Sequence, residues 1–154
     1  MRLDPLRVAD AAEMADVLAD PGLYEVIGGG PPTLDELTER YRRQVVGRSA
    51  DGRESWLNWV VRVDGTAVGY VQATVVEGDR AAVAWVIGAP WQGRGYATEA
   101  GRQLLALLPG HGVTRIEAHI APGHAPSERV AAQLGLSATG RFDPDGEQLW
   151  LAAP

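Results

Sequence analysis

A glycine-rich turn in the second half of the chain has the residue types and spacing of an anion-binding loop. Residues 92–98 read Gln-Gly-Arg-Gly-Tyr-Ala-Thr, between an apolar run at 81–87 and a helical pattern that ends near Leu108. Because Gly93 and Gly95 carry no Cβ, several backbone N–H groups can turn towards one anion at the start of that helix. The positive end of the helix dipole favours a negative charge at the same place. We call residues 92–95 the elbow, and its pattern predicts a ligand that bears a pyrophosphate.

Two other phosphate-binding patterns do not fit the elbow. A P-loop needs a Lys-Ser/Thr pair after its last glycine, and the chain contains no lysine. A dinucleotide fingerprint needs three spaced glycines early in a βαβ unit, whereas the elbow is shorter and lies past the middle of the chain. The sequence therefore excludes both patterns.

The elbow and a later segment together resemble a known enzyme family. Residues 92–97 resemble the Gln/Arg-x-x-Gly-x-Gly/Ala signature of the GNAT superfamily of acetyl-CoA-dependent N-acetyltransferases. Residues 124–136 resemble the Asn-x-x-Ser...Val...Leu-Gly-Phe segment of the branch related to ribosomal-protein N-terminal acetyltransferases. His124 stands in place of the usual Asn, and Leu136 in place of Phe. The resemblance extends from about Glu54 to Trp150.

The resemblance implies a cofactor and the residues that bind it. The cofactor is acetyl-CoA, and the strand before the elbow is expected to hold its pantetheine arm through the backbone of Val86, Ile87 and Gly88. The other residues expected to contact the cofactor are those of the elbow and the start of the next helix, with one loop histidine: Gln92, Gly93, Arg94, Gly95, Tyr96, Ala97, Thr98 and His124. No metal site is expected.

Two residues are candidates for the chemistry of acetyl transfer. Ser127 aligns with the family's serine and is expected to donate to the departing thiolate, although a cap of the following helix is the alternative. The strand before the elbow carries no glutamate, so the general base is open. His119, at the end of a predicted strand, is the best candidate because histidine titrates near neutral pH. Glu77 and Asp79 are alternatives.

The elements that must position these residues follow from periodicity and turn signals. Asp10 with Glu13, and Thr33 with Glu36, are predicted capping boxes for two early helices. The first predicted strand is Leu3–Val8. Three antiparallel strands follow the helices, Glu54–Val63, Thr66–Glu77 and Arg80–Ile87, with turns at Asp64–Gly65 and Gly78–Asp79. The last predicted strands are Arg115–Ile120 and two strands around residues 143–146.

The expected architecture is one GNAT-like α/β (α+β) domain over residues 1–154. Its sheet is mixed and mostly antiparallel, with about seven strands, helices on both faces and a splayed strand pair at the cofactor site. The composition agrees with a single core, since 45% of the 154 residues are hydrophobic.

Composition also limits the partners. The absence of cysteine excludes an acyl-cysteine intermediate, so direct attack by a primary amine is the expected route. A formal charge of −6 argues against nucleic acid and suits a cationic small-molecule or peptide amine. The absence of a long apolar run favours a cytoplasmic protein. Because all 14 basic residues are arginines, a bacterial source is expected. The protein is expected to be a monomer or a homodimer. A non-catalytic acyl-CoA sensor of the same fold is the alternative function.

Overall fold

The computed structural model describes residues 1–153, with the side chain of Ile27 outside that description. These residues form one seven-stranded sheet in the order β1-β2-β3-β4-β5-β7-β6. Neighbouring strands are antiparallel except β4 and β5, which are parallel. The strands are β1 (Arg2–Pro5), β2 (Glu54–Val63), β3 (Thr66–Val76), β4 (Arg80–Ile87), β5 (Arg115–Ile120), β6 (Leu136–Phe142) and β7 (Gln148–Ala152).

Helices cover both faces of the sheet, so the predicted fold class is confirmed. On one face α1 (Ala11–Val17) and α3 (Leu34–Gln44) pack on the central strands through buried residues such as Met14, Leu37 and Val60. On the other face lie α4 (Tyr96–Leu107) and α5 (Ala125–Gln133), whose core includes Leu104 and Ala131. A short helix, α2 (Tyr24–Ile27), which the sequence did not predict, precedes α3. Within residues 1–153 no helix has both the length and the hydropathy needed to cross a bilayer.

The alternating pattern of β2 is confirmed by its packing. Trp59 and Val61 belong to the core under α4, while Val60 belongs to the core under α1 and α3. The Asp64–Gly65 turn is also confirmed, with φ of 51° and 82° at its two residues. The next turn is centred one residue earlier than predicted, on Glu77 and Gly78, which have φ of 56° and 80°.

One of the two predicted capping boxes is correct. Thr33 and Glu36 exchange side-chain and backbone hydrogen bonds of 3.0 and 3.1 Å at the start of α3. Asp10 precedes α1, but its side chain makes no cap bond to that helix. The predicted box is wrong because Asp10 and Glu13 both turn to the guanidinium of Arg62.

Arg62, on β2, connects the first strand, the first helix and the β2–β3 hairpin. It lies 3.1 Å from Asp4, 3.2 Å from Asp10 and 2.9 Å from Glu13. Asp10 is 3% exposed, and its carboxylate also accepts from the N–H of Arg7 at 2.8 Å and from the Arg7 guanidinium at 3.1 Å, so two arginines compensate its buried charge. Glu13 also accepts from the N–H of Ala67 at 3.0 Å. The network shortens β1 to Arg2–Pro5, since the chain turns at residues 8–10 to bring Asp10 inwards.

Candidate active site

A gap between β4 and β5 is the main feature of the sheet. The two parallel strands are paired from Arg80↔Arg115 to Ala82↔Glu117. Both strands then continue, to Ile87 and Ile120, without pairing to each other. β3 and β7 hold their outer edges throughout. The gap therefore exposes one backbone edge of β4 over residues 83–87, and the predicted splay is present.

Hydrogen bonding to β3 decides which backbone groups of β4 face the gap. The N–H of Gly88 donates to the carbonyl of Val68 at 2.8 Å, so it points away from the gap. Because the two sides alternate along a strand, the backbone of Val86 also points to β3. The prediction that the backbone groups of Val86 and Gly88 hold the pantetheine arm is therefore wrong.

The residues of β4 whose backbone N–H and C=O groups face the gap are Val83, Trp85 and Ile87. The carbonyl of Ile87 already accepts from Nε2 of Gln92 at 2.9 Å. Gln92 therefore anchors the elbow to the end of β4, which is a different role from the predicted cofactor contact. Because the Ala82↔Glu117 pair engages the N–H of Val83, the gap keeps the carbonyl of Val83, both backbone groups of Trp85 and the N–H of Ile87 for an extended ligand.

The elbow has the geometry of an anion cradle. Gly93 and Gly95 have φ of 76° and 80°, which a side chain would strain. No side chain caps α4, and its first backbone bond runs from the N–H of Glu99 to Gly95. The N–H groups of the first turn, those of Tyr96, Ala97 and Thr98, therefore have no acceptor within the helix. They lie at its positive end, as an anion site requires.

Side chains near the elbow divide into exposed and packed ones. Arg94 is exposed, while Tyr96 and Ala97 pack against the core under α4. Thr98 is buried and donates to Gln133 of α5 at 2.7 Å. A cofactor contact through the Thr98 hydroxyl is thus excluded by its partner, and this residue offers only its N–H.

Ser127 is the third residue of α5, and it is half-buried. The residue that precedes the helix is His124, whose side chain makes no cap bond. The alternative that Ser127 caps this helix is therefore wrong.

Helix α5 packs closely against α4. A Cβ added at Gly101 of α4 would lie 2.7 Å from the side chain of Leu134, at the end of α5.

His119 lies on β5, two residues beyond the last pair with β4. Its Nδ1 is 2.9 Å from Oδ2 of Asp143, and its Nε2 is 3.2 Å from Oε2 of Glu117. Glu117 in turn lies 3.0 Å from Nε of Arg80. A proton on either ring nitrogen thus has a carboxylate acceptor, and an imidazolium that holds both protons satisfies both contacts.

The hairpin between β6 and β7 adds two carboxyl groups to this side of the gap. Burial opposes ionisation of Asp143, but the N–H groups of Glu147 and Asp145 and the ring of His119 donate to it, so its pKa is lowered. Burial and the charge of Asp143 raise the pKa of Glu147. The two carboxyl groups are therefore driven to different proton affinities beside one histidine.

Glu77 and Asp79 lie at the opposite end of β4. Arg115 is 3.0 Å from Asp79 and 3.7 Å from Glu77, beside the closed end of the β4–β5 pair. The Arg115 guanidinium lowers the pKa of Asp79. Both residues are thus neutralised far along the strand from the gap, and the structure does not support them as bases.

Glu117, Asp143 and Glu147 were not predicted from the sequence as residues of the site. Glu117 precedes His119 by two residues, so strand alternation alone places both side chains on one face. Asp143 and Glu147 flank the last turn, and nothing in the sequence relates that turn to His119. Their proximity follows from the pairing His119↔Leu149, which is long-range.

Comparisons with known proteins agree with this geometry. A family model described as an acetyltransferase (GNAT) domain matches residues 1–137. Among curated proteins, sequence comparison finds no match. The structure is similar to that of the aminoglycoside acetyltransferase AAC(6')-Ib with coenzyme A, at 23% identity and TM-score 0.80, over 97% of this chain and 91% of that one.

Two further structures share the fold. A GNAT-family acetyltransferase from Bacillus anthracis is 18% identical with TM-score 0.76, over 97% of this chain and 92% of that one. A chimera of the spermidine N-acetyltransferase SpeG from Vibrio cholerae and hSSAT is 17% identical with TM-score 0.76, over 98% and 93%.

Proposed function

The chain belongs to the family of GNAT-domain acetyltransferases, and we propose that it transfers an acetyl group from acetyl-CoA to a primary amine. The observation that carries the proposal is the gap between β4 and β5, which opens beside the elbow and exposes the backbone edge of β4. The similar fold of AAC(6')-Ib, crystallised with acetyl-CoA, supports the choice of cofactor.

The residues present fit acetyl-CoA. The free N–H groups of Tyr96, Ala97 and Thr98, with the left-handed Gly93 and Gly95, suit its pyrophosphate. The gap-facing backbone of Val83, Trp85 and Ile87 suits the amides of its pantetheine arm. When bound, acetyl-CoA supplies the activated acetyl group, and the chain's own residues bind, orient and move protons.

An amine must lose a proton before or during its attack on the thioester carbonyl carbon. In the proposed reaction the ammonium proton passes to His119 directly or through water, and the amine nitrogen then forms the new C–N bond as the C–S bond breaks. The second nitrogen proton passes to the departing thiolate, so that coenzyme A leaves as the thiol. Asp143 orients the ring through Nδ1, and Glu117 together with Asp143 stabilises the imidazolium that results.

Ser127 is the proposed donor to the departing thiolate. Its position in the first turn of α5, beside α4, supports this role, and no capping function competes for it. A hydroxyl there contributes only as negative charge develops on sulfur, so it favours the transition state over the bound cofactor.

The acceptor class is also a proposal. The resemblance of residues 124–136 supports the branch related to ribosomal-protein N-terminal acetyltransferases, in which the acceptor is a peptide amine. Neighbours named for aminoglycosides and for spermidine favour small polyamines instead.

A non-catalytic acyl-CoA sensor is the second candidate. It is favoured by Ala82 and Ala84, the residues of β4 beside the gap that face α3, because neither can move a proton. Glu117 and His119 on the neighbouring strand weigh against it, since they place titratable groups where β4 has none.

The two candidates separate in one assay. Thiol release from acetyl-CoA is followed with a panel of alkylamines, polyamines, aminoglycosides and short peptides, beside calorimetric titration with acetyl-CoA. An acetyltransferase releases thiol in an amine-dependent way. Binding of acetyl-CoA with no release on any amine supports the sensor and contradicts the proposed function.

A further inference from the structure

A row of small and polar side chains crosses the sheet beneath α3. In the register of the sheet, Asn58 lies opposite Gln72, and Gln72 lies opposite Ala84. In the adjacent row Thr74 lies opposite Ala82, which pairs with Glu117. Directly paired residues share a face, so all of these side chains project from the face that α3 partly covers. Because Ala82 and Ala84 have short side chains, they leave space above the sheet between β3 and the gap.

A cavity of about 250 Å³ lies at the far end of this row, between α3 and strands β2 and β3. Its lining includes the apolar Trp56 and Ala73 but is otherwise polar, and it carries two positive charges. The polar lining residues are Arg40, Arg43, Gln44, Asn58, Gln72 and Thr74. A smaller cavity continues inwards from it towards Tyr41 and Tyr70 and shares Arg40 with it.

The two arginines of the cavity differ from their neighbour Arg42. Arg42 pairs with Glu39 at 3.2 Å on the exposed side of α3. Among residues 1–153, no carboxylate lies within 4.0 Å of the guanidinium of Arg40 or Arg43. Their charges are therefore available to a ligand of the cavity.

Arg40 is exposed and lines both cavities. Burial raises the pKa of Tyr41 and of Tyr70, and the charge of Arg40 acts against the rise at both phenols. That influence on two residues beneath α3 is consistent with the position of Arg40 in both cavities. A guanidinium in such a place forms bidentate hydrogen bonds with a carboxylate.

The site thus has two arginines at α3 and, at the gap, the carboxylates of Glu117 and Asp143, which contact His119, with Arg80 also 3.0 Å from Glu117. Strands are spaced about 4.8 Å apart, so β3 and β5 are separated by roughly 10 Å. We infer that the acceptor is an amino carboxylate whose amine reaches the gap while its carboxylate, about 5–10 Å away, is bound by Arg40 and Arg43. The inference rests on the proposed function, because the amine end is placed at the acetyl-transfer site.

The test compares three acceptors of equal chain length. Amine-dependent thiol release is measured with 6-aminohexanoate, hexylamine and 1,6-diaminohexane. The wild-type kcat/KM for 6-aminohexanoate should exceed that for hexylamine by about tenfold or more, mainly through KM. In the Arg40→Gln/Arg43→Gln variant that ratio should fall to near one, whereas Arg42→Gln should keep it. Equal kcat/KM for the two acceptors in the wild type, or a ratio that persists in the double variant, overturns the inference.

Preference for 1,6-diaminohexane would also overturn it and would favour a polyamine. If none of the three amines is acetylated, the amine panel described above decides the proposed function, and the carboxylate site is decided by binding. Calorimetric titration with 6-aminohexanoate should then saturate in the wild type and Arg42→Gln but not in the double variant. Absence of binding to the wild type overturns the inference separately.

Discussion

Glu117 lies directly opposite Ala82, in the last pair that β4 and β5 form before they separate. The strand that precedes the elbow has only small apolar residues on this face near the gap, and the neighbouring strand supplies the carboxylate. His119 follows on the same face and contacts Glu117 at 3.2 Å. Proton transfer in the proposed reaction is therefore assigned to β5 and the β6–β7 hairpin.

This assignment predicts a pH dependence that belongs to His119. With an amine of high pKa, kcat/KM should rise with pH through an inflection that disappears in His119→Ala, because the ring accepts the ammonium proton. His111→Ala is the matched control, since His111 lies beyond α4, and it should keep the inflection. The pH–rate profile of the three proteins is the measurement. An inflection that survives in His119→Ala transfers the base role to another group.

Replacement of Ser127 tests its contact with the leaving thiol. Ser127→Ala should lower kcat by about ten- to a hundredfold with little change in acetyl-CoA affinity, since the hydrogen bond strengthens as charge develops. The melting temperature should change little, because Ser127 is not the cap of α5. Ser137→Ala, on the exposed part of β6, is the control. Normal turnover by Ser127→Ala would remove the proposed role.

Removing the charge of Arg62 should lower the free energy of unfolding more than removing the charge of an exposed arginine. Arg62→Leu removes the guanidinium from Asp4, Asp10 and Glu13 and leaves Arg7 as the donor to the buried Asp10, so it should lower the free energy of unfolding by about 2–3 kcal/mol. Arg53→Leu, where the side chain is 87% exposed, should change it by less than about 0.5 kcal/mol. Chemical denaturation measures both. Equal effects of the two substitutions would show that the network does not contribute to stability as described.

Glu13 gives the network a pH dependence of known sign. The N–H of Ala67 and the guanidinium of Arg62 hold the pKa of Glu13 below its ordinary value. Its stabilising contribution is therefore complete above the usual carboxyl pKa of about 4.3 and is lost as the pH falls through the lower folded value.

Glu13→Gln should accordingly cost about 1 kcal/mol at pH 7, because Glu13 is 44% exposed and partly screened. The difference from the wild type should shrink as the pH falls below about 4. Glu25→Gln, on the exposed side of α2, serves as the control. A difference that does not change between pH 7 and low pH would contradict the described role of Glu13.

Local signals in the sequence predicted most of the fold. Alternation predicted β2 with its observed bounds, and Thr33 and Glu36 marked the start of α3. The Asp10–Glu13 box failed because the same residue spacing serves a buried ion network, and Arg62 is about 50 positions away in the chain. A local motif cannot distinguish a cap from a tertiary partner.

The site was predicted in outline from the elbow and the resemblance. The sequence did not predict which backbone groups of β4 point to the gap, because this depends on the hydrogen bond between Gly88 and Val68. The contacts of His119 with Glu117 and Asp143 depend on the pairing of β5 with β7. Such contacts are determined by strand order, which periodicity does not reveal.

Binding of acetyl-CoA at the elbow is the central claim, and Gly95 tests it most directly. Gly95→Val and Gly52→Val place the same side chain at φ of 80° and 73°, with no atom within 4 Å of the new Cβ in either case. Both substitutions should therefore cost similar stability, about 1–2 kcal/mol. Only Gly95→Val should lose acetyl-CoA affinity in calorimetric titration, because its side chain blocks the pyrophosphate from the N–H groups of α4. Wild-type affinity in a folded Gly95→Val protein, or an equal loss in Gly52→Val, would contradict the account.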